Sequence, residues 1–157
     1  MAGTVRIDKR LKTGLFILIS TSWITGILFF IMDNWLWIEG EFGPEKNPWQ
    51  FPTLKIHAAS AFLLMIGFGF LLASHVLVSF PVKRMRPTGI ALLSAFGFLI
   101  VSAYALYYTG DDGIRKYVGY AHAGVGVCLP FLLGAHIYQG MAYRKRNRKK
   151  RISQKAA

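Results

Sequence analysis

The sequence predicts an all-α integral membrane protein, a four-helix bundle with both termini in the cytoplasm. Three observations predict it. The 157-residue chain is 54% hydrophobic and 15% aromatic, leaving too little polar surface to cover a soluble core of this size. Four apolar stretches each reach the roughly 20 helical residues that cross a hydrocarbon layer. The net charge of +12 is also sorted by side. Segments before the first stretch, between the second and third, and after the fourth hold 15 of the 19 Lys and Arg, with one acid, Asp8. The alternate segments hold the other four bases and six acids. That is the positive-inside pattern, and it argues against reading the charge as a nucleic-acid surface.

The four expected spans are Gly14–Met32, Leu54–Phe80, Gly89–Thr109 and Tyr117–Tyr143. The first is too long for a secretory h-region, and no small-residue cleavage site follows it, so it is expected to remain. The second and fourth exceed the hydrocarbon thickness and are expected to tilt or project. The first loop, Asp33–Thr53, sets Trp35, Trp37, Phe42, Trp49 and Phe51 among acids, glycines and prolines. Tryptophan favours the membrane–water boundary, so this loop reads as an interfacial anchor, with a docking patch for a periplasmic partner as the alternative. Pro81 and Pro87 bracket the inner turn, and Asp111-Asp112-Gly113 forms the short outer one. Residues 1–143 thus form one membrane domain, and 144–157 a basic cytoplasmic tail that anchors topology against anionic lipid. The single cysteine, Cys128, excludes an internal disulfide, a CxxCH haem attachment, a zinc cluster and an iron–sulfur cluster.

All four histidines fall in two of these apolar stretches: His57 and His75 in the second, His122 and His136 in the fourth. An ionisable side chain within a membrane is costly and marks a functional candidate. At 100° per residue, the 18-residue step from His57 to His75 returns to nearly the same face, and the 14-residue step from His122 to His136 falls about 40° short of it. The axial separations are about 27 Å and 21 Å, which places one histidine of each helix near each side of the hydrocarbon. Both helices run outside to inside if the N-terminus is cytoplasmic. His57 then pairs with His122 at the outer level, and His75 with His136 at the inner level. Two imidazoles at one level can supply both axial ligands of a haem iron. Pro130, midway along the fourth helix, reads equally as a kink between the ligands or as an ordinary membrane-helix proline.

A flat macrocycle needs close backbone approach, for which Gly67 and Gly126 are the candidates; small-residue helix packing accounts for them equally well. Haem propionates seek cations. Arg115, Lys116 and Lys55 border the outer level, with Arg115 foremost because it stands on the acidic side. Lys83, Arg84 and Arg86 border the inner level, where plain flanking charge is the better reading. Asp111, Asp112 and Tyr108 could handle protons for an outer quinone, although turn acids are usually only solvated. Tyr104, Tyr107, Tyr117 and Tyr120 read as interfacial belt residues.

The stretch Pro52-Thr53-Leu54-Lys55-Ile56-His57 … His75-Val76-Leu77-Val78 resembles the second helix of small bacterial di-haem b-type cytochromes. The stretch from Tyr107 through Thr109-Gly110-Asp111-Asp112-Gly113-Ile114-Arg115 to His122 and His136 is similar to their third turn and fourth helix. This wider group includes bacterial cytochrome b561 and the cytochrome b subunits of hydrogenases and formate dehydrogenases. The resemblance implies two non-covalent b haems and an electron-transfer role. Those members take one ligand from the first helix, which has no histidine here. The plan in which helices two and four provide both pairs is the one this sequence looks like.

The expected function is therefore a membrane electron conduit, a subunit of an oxidoreductase system in the bacterial inner membrane. Its two haem b irons would be held by His57 with His122 and by His75 with His136. A dehydrogenase, reductase or c-type cytochrome is expected on another chain, with membrane quinone as a further carrier. Two rivals use the same residues: a His-based metal or proton transporter, and a non-catalytic membrane anchor. A transporter would be expected to add intramembrane carboxylates or thiols, which these spans lack.

Overall fold

A computed structural model describes residues 8–77 and 86–156 of the chain. Four helices long and apolar enough to cross a membrane account for most of it. Helix α1 is Lys9–Asn34, started by Asp8, whose carboxylate accepts from the Arg10 N–H at 3.2 Å. It begins five residues before the expected span because this cap, not the first apolar residue, sets the start. A two-stranded antiparallel hairpin follows, β1 (Ile38–Gly40) and β2 (Gly43–Glu45), where the sequence had given only a loop. Ile38 pairs with Glu45, and Gly40 with Gly43, around the tip Glu41-Phe42. Gly43 takes φ +117°, a conformation open to glycine and strained for other residues.

Helix α2 spans Gln50–Leu71 and runs directly into a π-helical turn, Leu72–Val76. Helix α3 is Arg86–Tyr108, and α4 runs unbroken from Asp112 to Ala156. Pro81, Lys83 and Arg84 of the expected inner turn lie outside the described residues. The basic segment after Tyr143 belongs to the same helix as the fourth span: Lys, Arg and Gln favour helix, and no Gly or Pro intervenes before Ala156.

The packing is pairwise. Helix α1 lies along α2 and α3 along α4, and the two hairpins meet mainly where α1 touches α4. The indole N–H of Trp23 reaches the Val127 carbonyl at 3.3 Å, beside the Gly126 carbonyl that Pro130 leaves without its helical donor. Tyr120 donates to Asn34 Oδ1 at 3.1 Å and meets Phe30 edge-on. Phe68 and Phe96 stack at 4.9 Å between α2 and α3. The interior is thin: Leu64, Ala95 and Leu129 are its buried apolar residues, while large side chains such as Ile17, Phe62, Val101 and Phe131 point outward. An apolar exterior of this kind suits hydrocarbon as solvent. Among the described residues, the buried polar side chains of Ser60 and Ser102 return their hydroxyl protons to the carbonyls of His57 and Leu99.

At the hairpin end, Asp33 accepts from Lys46, in an ion pair, and from Gln50 Nε2 at 2.7 Å, fastening the hairpin to the end of α1 and the start of α2. Phe42, at the tip, is 92% exposed, and Trp35 and Trp49 are exposed beside it. Asp111 caps α4, accepting the Ile114 N–H at 2.8 Å. Replacing Asp111 with Ala should cost about 1 kcal/mol, whereas Asn should retain most of the cap. Thermal unfolding of the two variants in detergent measures the difference; equal stabilities would show that the cap is not needed.

Candidate functional site

His57 is the seventh residue after Gln50 on α2, and two turns bring it below the polar cluster at the hairpin end. Its Nδ1 lies 2.9 Å from the Ser22 carbonyl of α1. A carbonyl can only accept, so Nδ1 carries the proton and Nε2 carries the lone pair. Gly26, one turn after Ser22, makes room for the ring: a Cβ there would come 2.9 Å from His57 Cε1.

His122 meets α3 in the same manner. Its Nδ1 is 2.8 Å from Ser102 Oγ, whose own proton goes to the Leu99 carbonyl at 3.2 Å. The serine oxygen therefore accepts from the imidazole, and Nε2 is again the lone-pair nitrogen. At the other end of α4, His136 Nδ1 lies 3.1 Å from Thr88 Oγ1, which donates to Gln139 Oε1 at 3.2 Å. His57 and His122 thus share one tautomer, and all three rings are held by a neighbouring helix within their own hairpin.

The rings meet across the two hairpins. His57 and His122 stand 6.4 Å apart between ring centres, with planes 84° to one another. His75 interacts electrostatically with His136 and with Arg144, so these groups share the opposite level of the bundle. His75 lies in the π-turn Leu72–Val76. Such a turn advances less angle and less rise per residue than an α-helix, so the uniform 100° step overstates the rotation between His57 and His75. It also shortens the longer of the two histidine separations. Among the described residues no three His, Cys, Asp or Glu side chains converge on a metal-ion position; the imidazoles come in twos.

The other residues singled out in the sequence lie elsewhere. A Cβ on Gly67 would meet Leu15 of α1 at 2.7 Å, and one on Gly126 would meet Leu99 of α3 at 3.9 Å; neither would have an imidazole within 4 Å. The glycines beside histidines are Gly26 and Gly89, the latter with a Cβ position 3.7 Å from His136 Cε1. Arg115 donates from Nε and Nη2 to the Thr109 carbonyl, at 3.1 and 2.7 Å, and so closes the α3–α4 turn. Lys55 lies over the Phe51 ring and Lys116 over Tyr120. Asp111 is occupied as a cap.

Sequence reasoning passed over Ser22, Gly26, Thr88, Gly89 and Ser102. Their signal was a polar or small residue inside an apolar run, which membrane helices also use for ordinary packing. No protein-family model, curated protein or solved structure significantly matches the chain.

Enlarging Gly26 tests the fit around His57. Gly26→Val should push the ring off the Ser22 carbonyl and destabilise the bundle by about 1–3 kcal/mol. Gly69→Val, where a Cβ meets nothing within 4 Å, serves as the control. Equal melting temperatures for the two would show that the ring yields freely.

Proposed function

We propose that the chain is a multi-pass protein of the bacterial cytoplasmic membrane, with both termini in the cytoplasm, that holds two haem b groups and carries electrons across the bilayer. The observation that carries this reading is the His57–His122 pair, 6.4 Å apart between ring centres with each Nδ1 engaged by a neighbouring helix. At that separation His57 and His122 are the residues that would hold the iron of one haem between them. The donor set fits too: two neutral imidazoles with Nε2 lone pairs and no carboxylate or thiolate. Bound there, haem b would supply a one-electron ferric–ferrous couple at each level.

The chain's own residues do the remaining work. The Ser22 carbonyl and Ser102 accept the Nδ1 protons of His57 and His122, which fixes ring orientation and raises the basicity of Nε2. The π-turn sets the angle at which His75 enters its level. Lys55, Lys116 and Arg115 at the hairpin end are the cations nearest in sequence to the His57–His122 level, suited to anionic propionates. The imidazoles are half-buried by the bundle, so surrounding hydrocarbon would complete their shielding from water, and the positive-inside bias assigns the hairpin end to the outer face. Electrons would be exchanged with a periplasmic or membrane redox protein at one level, and with a second carrier or membrane quinone at the other.

Expression in a haem-competent host should give a pigment with bis-imidazole low-spin spectra and two haems per chain by extraction. His57→Ala and His122→Ala should each remove the same haem, and His75→Ala and His136→Ala the other. Loss of one centre by His57→Ala and His136→Ala together would overturn the pairing, and a colourless protein would overturn the reading. Ser102→Ala should keep both haems while speeding haem loss from the His57–His122 level on the order of tenfold, measured by transfer to apomyoglobin. An unchanged transfer rate would remove Ser102 from the ligand support.

A further inference from the structure

Past Tyr143, α4 continues as helix through residues 144–156, adding about 20 Å at 1.5 Å per residue. This extension carries eight Lys and Arg and no acid. Stepping 100° per residue, Arg144, Lys145 and Arg146 already circle the axis, and Arg148, Lys149 and Lys150 circle it again. Ile152 is the one large apolar residue in it, and it is exposed. A helix that lies in a membrane surface needs an apolar face, and this one has none. It also carries like charges at every spacing that matters: 144 with 148, 145 with 149, 146 with 150, and 151 with 155. Such i, i+4 pairs destabilise a helix unless something anionic surrounds it.

Lipid headgroups can answer only the root of this extension. Their field decays over about 8 Å at physiological salt, roughly the first five residues past the interface. Positions 149, 150, 151 and 155, which the sequence fills with Lys and Arg, come later along the helix. The root itself is placed by the unbroken α4, on which Arg144 follows His136 by eight residues, about two turns or ~12 Å. The cationic helix therefore rises beside the His75–His136 level.

We propose that the helix 144–156 is a docking post for a small acidic electron-carrier protein, which it brings beside His75 and His136. The proposal rests on the haem reading for its electron step and on charge alone for its docking step. In the electron step one electron would pass between the carrier and the haem iron that His75 and His136 would hold. One is oxidised as the other is reduced, and no bond forms and no proton moves. Steering by opposite charge raises the encounter rate and makes it fall with salt.

The full chain in nanodiscs of neutral phosphatidylcholine tests both steps, beside a variant carrying Lys149→Gln, Lys150→Gln, Arg151→Gln and Lys155→Gln. The probe is a flavodoxin of strongly negative net charge. Its binding, followed by salt-dependent co-sedimentation, should weaken at least tenfold in the variant. Its rate of haem reduction should fall by a similar factor, while reduction by photoreduced riboflavin, which is uncharged, stays the same. Equal flavodoxin binding by both proteins overturns the docking post. So does a loss confined to phosphatidylglycerol vesicles or to a duplex DNA probe, which would assign the charge to lipid or to nucleic acid. Preserved binding contrast in a colourless protein would retain the post and discard the haem reading.

Discussion

An imidazole among apolar helices has two nitrogens to satisfy, and hydrocarbon offers neither donor nor acceptor. That constraint organises this bundle. His57 settles one nitrogen on the Ser22 carbonyl of α1, His122 on Ser102 of α3, and His136 on Thr88 of α3. Each of these bonds lies within a helical hairpin, and those of His57 and His122 leave Nε2 as a bare lone pair. Ser102 can play its part only because Leu99 takes its proton. A serine with no such outlet could donate to the imidazole and invert the tautomer.

The same economy explains why small residues sit where they do. Gly26 lets the His57 ring lie against α1, and Gly67 lets Leu15 of α1 pack against α2. Neighbouring glycines on one helix pair thus serve different ends, one for a ring and one for helix contact. At the other end of α2 the adjustment is made in the backbone, by a π-turn that contains His75.

Much of the architecture was legible because it follows from hydropathy and charge. Four apolar runs gave four helices, although α4 starts at Asp112, inside the expected turn Asp111-Asp112-Gly113 and five residues before the expected Tyr117, because the Asp111 cap sets its start. What escaped notice had weaker signatures. The β1–β2 hairpin depends on Gly43 at positive φ and on Asp33 gripping Lys46 and Gln50, contacts spread over 17 positions of the chain. The π-turn arises from a hydrogen-bond shift that leaves no mark in composition. The continuation of α4 through the tail was hidden by treating a change of solvent as a change of structure. Of the site, the histidine levels could be reached by counting residues, whereas the hydroxyls on α1 and α3 required knowing which helices adjoin. The charge of Arg115 is visible in the sequence, whereas its clasp on the Thr109 carbonyl depends on how the turn folds.

The division into two hairpins bears on how the molecule is put together. The Nδ1 contacts of His57, His122 and His136 each stay within one hairpin, and the His57–His122 pair joins the two hairpins. The His57–His122 level therefore draws on both halves of the molecule, so it exists only once the hairpins are joined. The seam that joins them combines the α1–α4 contact, the Phe68–Phe96 stack and these two facing rings.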